Sequence, residues 1–89
     1  GNDPLTALYS LSRVYGGKEA ESKLANQLKG DPKSALHSFS DRPEWWVHLY
    51  VVEMMKKNPQ LRDPAILKKL EKDKHPLVKE KVAELTTGK

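Results

Sequence analysis

The sequence predicts an all-α fold of about three stacked helical hairpins, with a compact five- to six-helix bundle as the alternative arrangement. Three observations predict it. A ten-residue segment recurs, Asp-Pro pairs precede apolar runs three times, and the apolar residues fall at helical spacing without sustained strand-type alternation. Residues 3–12 read DPLTALYSLS and residues 31–40 read DPKSALHSFS, identical at six of ten positions. A third pair, Asp63-Pro64, is followed by Ile66, Leu67 and Leu70, and the three starts are 28 and 32 residues apart. Periods of this size mark stacked helical units. The 89 residues fit one domain, 1–89, with approximate repeats 3–30, 31–62 and 63–88.

Each start has a physical reason. An Asp side chain accepts hydrogen bonds from unpaired N–H groups at a helix N-terminus, and Pro at the first helical position lacks the donor that would go unused. Asp3, Asp31 and Asp63 are therefore expected as N-caps. Gly16-Gly17 ends the first helix. Residues 18–29 then place Ala20, Leu24 and Leu28 on one face, and Gly30 stops that helix. The helix from about Pro43 to Lys57 is apolar nearly all round, which implies a central, buried element. Asn58-Pro59 ends it, because the residue before Pro disfavours helix. After the turn at 73–76, Val78, Val82 and Leu85 recur at i, i+4, i+7. Aligning Pro43 with Pro76 sets Trp45 over Val78, Leu49 over Val82 and Val52 over Leu85. Asp41 and Asp73, each ahead of a Pro turn, are expected to cap the second helices.

The segment Asp63–Leu85, DPAILKKLEKDKHPLVKEKVAEL, resembles a HEAT-like (armadillo-type) repeat. Such repeats join an apolar first helix through a turn with Asp and Pro to a second helix of the form V-[RK]-x-x-[AV]-x-x-L, which Val78, Lys79, Val82 and Leu85 match. The middle repeat departs at Trp45-Trp46, and the first has Gly-Gly instead of a Pro turn. The resemblance implies a right-handed stack of hairpins with a protein-binding surface, and no catalytic residue.

Composition narrows the function classes. With no cysteine, disulfides, thiolate metal sites and cysteine nucleophiles are excluded. No apolar run approaches the roughly 20 residues of a membrane span. The chain begins at Gly1 without Met, which leaves its natural start and any removed leader open, and the compartment with them. The net charge of +4 is uneven: residues 1–55 carry six basic and seven acidic groups, residues 56–89 ten and five.

Groups able to do chemistry are scattered. His37, His48 and His75 are not spaced as helix metal ligands, and no carboxylate pair stands out. His48 is expected to face out or to pack beside Trp45. Ser10, Ser12, Ser38 and Ser40 recur with the repeat, which fits helix packing and helix ends better than nucleophilic catalysis. No catalytic residue, cofactor or metal site is expected. Adjacent helix positions point about 100° apart, so one tryptophan, Trp45, is expected in the core and the other, Trp46, at a junction or groove. The expected function is a non-catalytic protein-interaction or scaffolding module, with Trp46, Tyr50, Met54 and Met55 as partner contacts. The alternative is binding to nucleic acid or another anionic surface through segment 56–89, with Lys68, Lys69, Lys72 and Lys79 as the anion contacts.

Overall fold

Six α-helices and one 3-10 turn make up the computed structural model, which describes residues 4–87. The helices are α1 (Pro4–Tyr15), α2 (Gly17–Gly30), α3 (Pro32–Ser40), α4 (Trp45–Lys57), α5 (Pro64–Leu70) and α6 (Pro76–Thr86), with the 3-10 turn at Pro59–Leu61 before α5. No strand occurs among the described residues. The fold is all-α and built of helical hairpins.

The helix starts follow the local chemistry. The Asp31 carboxylate accepts from the backbone N–H of Lys33 at 3.2 Å and from the Ser34 hydroxyl at 2.7 Å. Asp63 accepts from the N–H of Ala65 at 2.8 Å. Both precede Pro at the first helical position. Asp3 lies outside the described residues. Asn58 closes α4 by donating from Nδ2 to the Met54 carbonyl at 3.1 Å.

Asp41 and Asp73 do not cap the second helices. Glu44 stands at the N-cap of α4 without a side-chain cap bond. His75 caps α6, its Nδ1 accepting from the N–H of Leu77 at 3.2 Å. Asp41 follows α3 and pairs with Lys69 of α5 at 2.5 Å. Asp73 turns inward toward α4.

The recurrent serines serve helix geometry. Ser10 donates to the Thr6 carbonyl, Ser12 to those of Leu8 and Tyr9, and Ser40 to that of His37. Each satisfies its hydroxyl on the preceding turn, so Ser12 and Ser40 are buried without an unmet polar group.

The hairpins do not stack uniformly. The second and third lie like on like, α3 against α5 and α4 against α6. The first is placed differently: its main contacts run from α1 to α4 and from α2 to α3. α4 consequently touches α1, α3, α6 and the 3-10 turn, and seven of its residues are buried: Trp46, Val47, Tyr50, Val51, Val52, Met54 and Met55. Around them close Leu8, Leu24, Leu28, Leu36, Phe39, Ile66, Leu70, Val78, Val82 and Leu85. Burying a side chain of this kind contributes about 1.5–3 kcal/mol.

The register of α4 corrects the sequence expectation. The residues equivalent to Val78, Val82 and Leu85 are Val47, Val51 and Met54, all buried, not Trp45, Leu49 and Val52. The helix begins at Trp45 rather than Pro43, which moves the alignment by two positions. Trp46 becomes the core tryptophan at 4% exposure, and Trp45 is only partly buried.

Gly16 makes room for Trp46. A Cβ built on Gly16 would stand 2.8 Å from Cη2 of Trp46, closer still to its Cζ2, and 3.0 Å from Cβ of Ala20. Gly17 has φ +82°, in the left-handed region that costs other residues about 1–2 kcal/mol. Thus Gly16 serves close approach and Gly17 serves the turn. Gly16→Ala is expected to lower unfolding free energy by about 1–3 kcal/mol through displacement of a buried ring. Gly17→Ala is expected to cost about 1 kcal/mol through backbone strain alone. Urea denaturation measures both, and a quenched or shifted tryptophan emission in the native state should accompany only the first.

Candidate functional site

The main groove lies where α1 ends and where α4 and α6 begin. Its walls are Tyr15, the segment Pro43–Trp46 and the turn Asp73–Pro76, and it encloses about 700 Å³. Three rings form a connected series. Trp45 and His75 stack with centroids 3.9 Å apart and planes 9° apart. Tyr15 meets Trp45 edge-on at 4.9 Å.

A polar tie holds the groove's base. His48 Nδ1 pairs with Oδ2 of Asp73, and His48 Nε2 faces the Arg42 carbonyl at 2.6 Å. The second oxygen of Asp73 accepts from the N–H of His75 at 2.7 Å. Both nitrogens of His48 face oxygen acceptors, so the fully bonded ring is the doubly protonated one. Neither nitrogen is left for a substrate. The tie joins α4, the loop before it and the turn before α6. His48 thus neither faces out nor simply packs beside Trp45.

Next to it, Arg42 donates from Nε to Oε1 of Glu44 at 3.0 Å and from Nη2 to Oε2 at 2.7 Å. This hydrogen bonding holds the Glu44 carboxyl below its ordinary range, against the opposing effect of partial burial. Elsewhere, hydrogen bonding from Lys69 lowers Asp41, and the backbone N–H of Ala65, assisted by His37 at 2.7 Å, lowers Asp63. The Ser34 hydroxyl lowers Asp31.

Of the expected contact residues, Tyr50, Met54 and Met55 are buried in the core, while Trp46, also largely buried, is among the residues that line the groove. Neighbours on several sides of α4 cover its apolar faces. The expected anion contacts are all exposed. Lys68, Lys69 and Lys72 line a depression of about 460 Å³ together with Ser40, Asp41 and Ala65, whereas Lys79 does not. Lys69 is already paired with Asp41 there.

Among the described residues, no group of three or more His, Asp or Glu is arranged to hold a metal ion. No helix among them is long and apolar enough to cross a membrane. Comparison with protein-family models, curated proteins and solved structures finds no match.

Sequence reasoning missed Tyr15, Trp45, His75 and Asp73 as neighbours. They come from different hairpins, and no local spacing links them. The one usable signal was position, since Tyr15 precedes Gly16-Gly17 while Trp45 and His75 each flank a Pro turn.

Two outcomes test the polar tie. His48→Ala and Asp73→Asn should each destabilise the fold, and the double variant should lose less than their sum, with a coupling of about 1–3 kcal/mol in denaturant unfolding. The lowered carboxyls give the pH dependence its sign. Groups with depressed folded-state pKa values add stability above their ordinary values and lose it as pH falls through the folded ones. Stability should therefore decline below about pH 4, and Arg42→Ala should move the Glu44 carboxyl titration upward in an NMR pH series.

Proposed function

We propose that this chain is a non-catalytic protein-interaction module whose contact surface is the groove between Tyr15, Trp45 and His75. One observation carries the reading. The large hydrophobic residues exposed among the described residues are Val14 at 72%, Tyr15 at 52% and Leu77 at 36%. Of these, Tyr15 is a wall of the groove, while Val14 and Leu77 adjoin wall residues in the chain without lining the groove themselves. Exposed apolar surface beside a concave site is the usual mark of a binding surface. Aromatic side chains are also enriched among the residues that dominate binding energy.

The commitment of both His48 nitrogens within the fold supports a non-catalytic role. The like-on-like stacking of α3 with α5 and of α4 with α6 supports reading residues 31–86 as two HEAT-like hairpins, a scaffold suited to display. Binding to nucleic acid has less support, because Lys69 is engaged by Asp41 and Lys79 stands apart from the other three lysines.

The experiment is selection of binders from a random peptide library displayed against the full chain. Tyr15→Ala and Trp45→Ala should each weaken the selected binders by at least about tenfold. Trp46→Ala should instead lower stability by about 3–5 kcal/mol, as loss of a large buried ring does. Binders indifferent to Tyr15 and Trp45 would overturn the proposal. Salt-sensitive binding of generic duplex DNA at low ionic strength would favour the basic face instead.

A further inference from the structure

One proton sets the polar tie beneath the groove. His48 Nε2 faces the Arg42 carbonyl at 2.6 Å, and Nδ1 faces Oδ2 of Asp73. A carbonyl oxygen has no hydrogen to give, and the other oxygen of Asp73 already accepts from the N–H of His75. Both contacts therefore take their hydrogen from the ring, and only the imidazolium carries two. When one proton leaves, the remaining hydrogen stays on Nδ1, because the carboxylate is the stronger acceptor. Nε2 then turns a lone pair toward the Arg42 oxygen, and attraction becomes repulsion. Only 13% of the His48 side chain and 7% of the Asp73 side chain are exposed, so little water is at hand to replace the lost bond.

The charges around His48 are few. In the loop before α4, Glu44 lies near enough to interact with it and is paired with Arg42. The turn before α6 brings Asp73, with Lys74 and His75 next along the chain. α1, α3, α6 and the 3-10 turn bring His48 no ion-pair partner among the described residues. A second pair, His37 with Asp63 at 2.7 Å, joins the same two hairpins. It is not a comparable device. Its histidine is half-exposed, and a neutral ring with its hydrogen on Nε2 keeps the bond.

The segment that Nε2 holds is lightly tied to α4 elsewhere. Pro43 has no N–H, and Glu44 makes no side-chain cap bond. The N–H of His48 reaches the Glu44 carbonyl at a long 3.4 Å, while the N–H of Arg42 is held by Phe39 of α3 at 3.1 Å. Pro43 and Glu44 are walls of the groove. We propose that His48 is a proton-operated latch on the groove: its imidazolium holds the Pro43–Glu44 wall against α4, and loss of the Nε2 proton releases that wall while the bond to Asp73 persists. The wall is thus held on the acid side of the His48 titration and freed on the alkaline side. As a regulator of binding the latch rests on the interaction role proposed above; as a movement of the wall it stands without it.

The test follows the full chain, nitrogen-15 labelled, by NMR over about pH 5 to 8, where histidines ordinarily change charge. Arg42 holds the Glu44 carboxyl below its ordinary range, so that group stays ionised throughout. Both His48 nitrogens should read as protonated on the acid side, and Nε2 alone should lose its hydrogen as pH rises. The backbone N–H signals of Glu44 and Trp45 should shift with the same midpoint. His75→Asn and His37→Gln remove the other two titrating rings and should leave that response in place; the first retains a side-chain oxygen able to cap α6. His48→Gln should abolish it. If His48→Gln does not fold, the comparison of midpoints in the other three proteins decides. Loss of the hydrogen from Nδ1, a ring that keeps one state over the whole range, or Glu44 and Trp45 signals that stay fixed or follow His37 or His75 would each overturn the latch. Histidine-free binders selected on the acid side should weaken by at least about threefold on the alkaline side, and unchanged affinity would overturn the regulatory role. A fixed wall with Tyr15-dependent binders removes the latch alone; a moving wall with no Tyr15-dependent binder removes the interaction role alone.

Discussion

The seating of the Trp46 indole against the bare backbone of Gly16 is the contact on which the arrangement of the first hairpin depends. α4 is apolar around most of its circumference and has to be covered on several sides. α3, joined to it by a short connection, and α6, which follows α5, cover two of them. The remaining cover comes from α1, whose end must approach α4 closely enough to enclose a tryptophan. Only a residue without a side chain permits that approach, and the next residue must then turn the chain through a left-handed conformation. Gly16 and Gly17 meet these two requirements in succession. With α1 fixed in this way, Tyr15 is carried to the edge of Trp45, and the groove follows from the packing beneath it.

The two tryptophans divide structural and surface roles between neighbouring positions. Trp46 fills the core, while Trp45, about 100° around the helix, joins Tyr15 and His75 at the rim. A shift of the helix start by two residues would exchange these roles. The polar tie among His48, Asp73 and the Arg42 carbonyl fixes that start from the other side. It holds the turn before α6 against the first turns of α4, so the aromatic series is supported by hydrogen bonds below and by the core behind.

What could be read from the sequence was what depends on neighbours along the chain. Asp31 and Asp63 cap their helices through N–H groups two residues away, and the Asp-Pro pairing announces this. Gly16-Gly17 and Asn58-Pro59 act within a turn. The i, i+4, i+7 spacing of Val78, Val82 and Leu85 defines a buried face without reference to anything distant. The start of α4 was harder, because Pro43 invites comparison with Pro76 although the two prolines stand at different distances from their helices. Asp73 was misread for a related reason. It sits where a cap would sit, but its partner is His48, 25 residues earlier in the chain. The apolar circumference of α4 announces a buried helix, but it does not reveal how many neighbours cover it, and so whether Tyr50, Met54 and Met55 keep any surface for a partner. The groove was out of reach for the same reason, being assembled from the edges of three elements after those elements have packed.

The prolines at the starts of α3, α5 and α6 have a consequence that extends beyond the native contacts. Each restricts its own backbone to the φ value that the helix requires and biases the residue before it toward the extended conformation that the cap residue adopts. Asp31, Asp63 and His75 all have that extended geometry in the fold. The denatured chain thus already samples the points at which these helices begin, and folding surrenders less conformational freedom there. A domain with little interior to spend on stability gains by narrowing the ensemble it must leave.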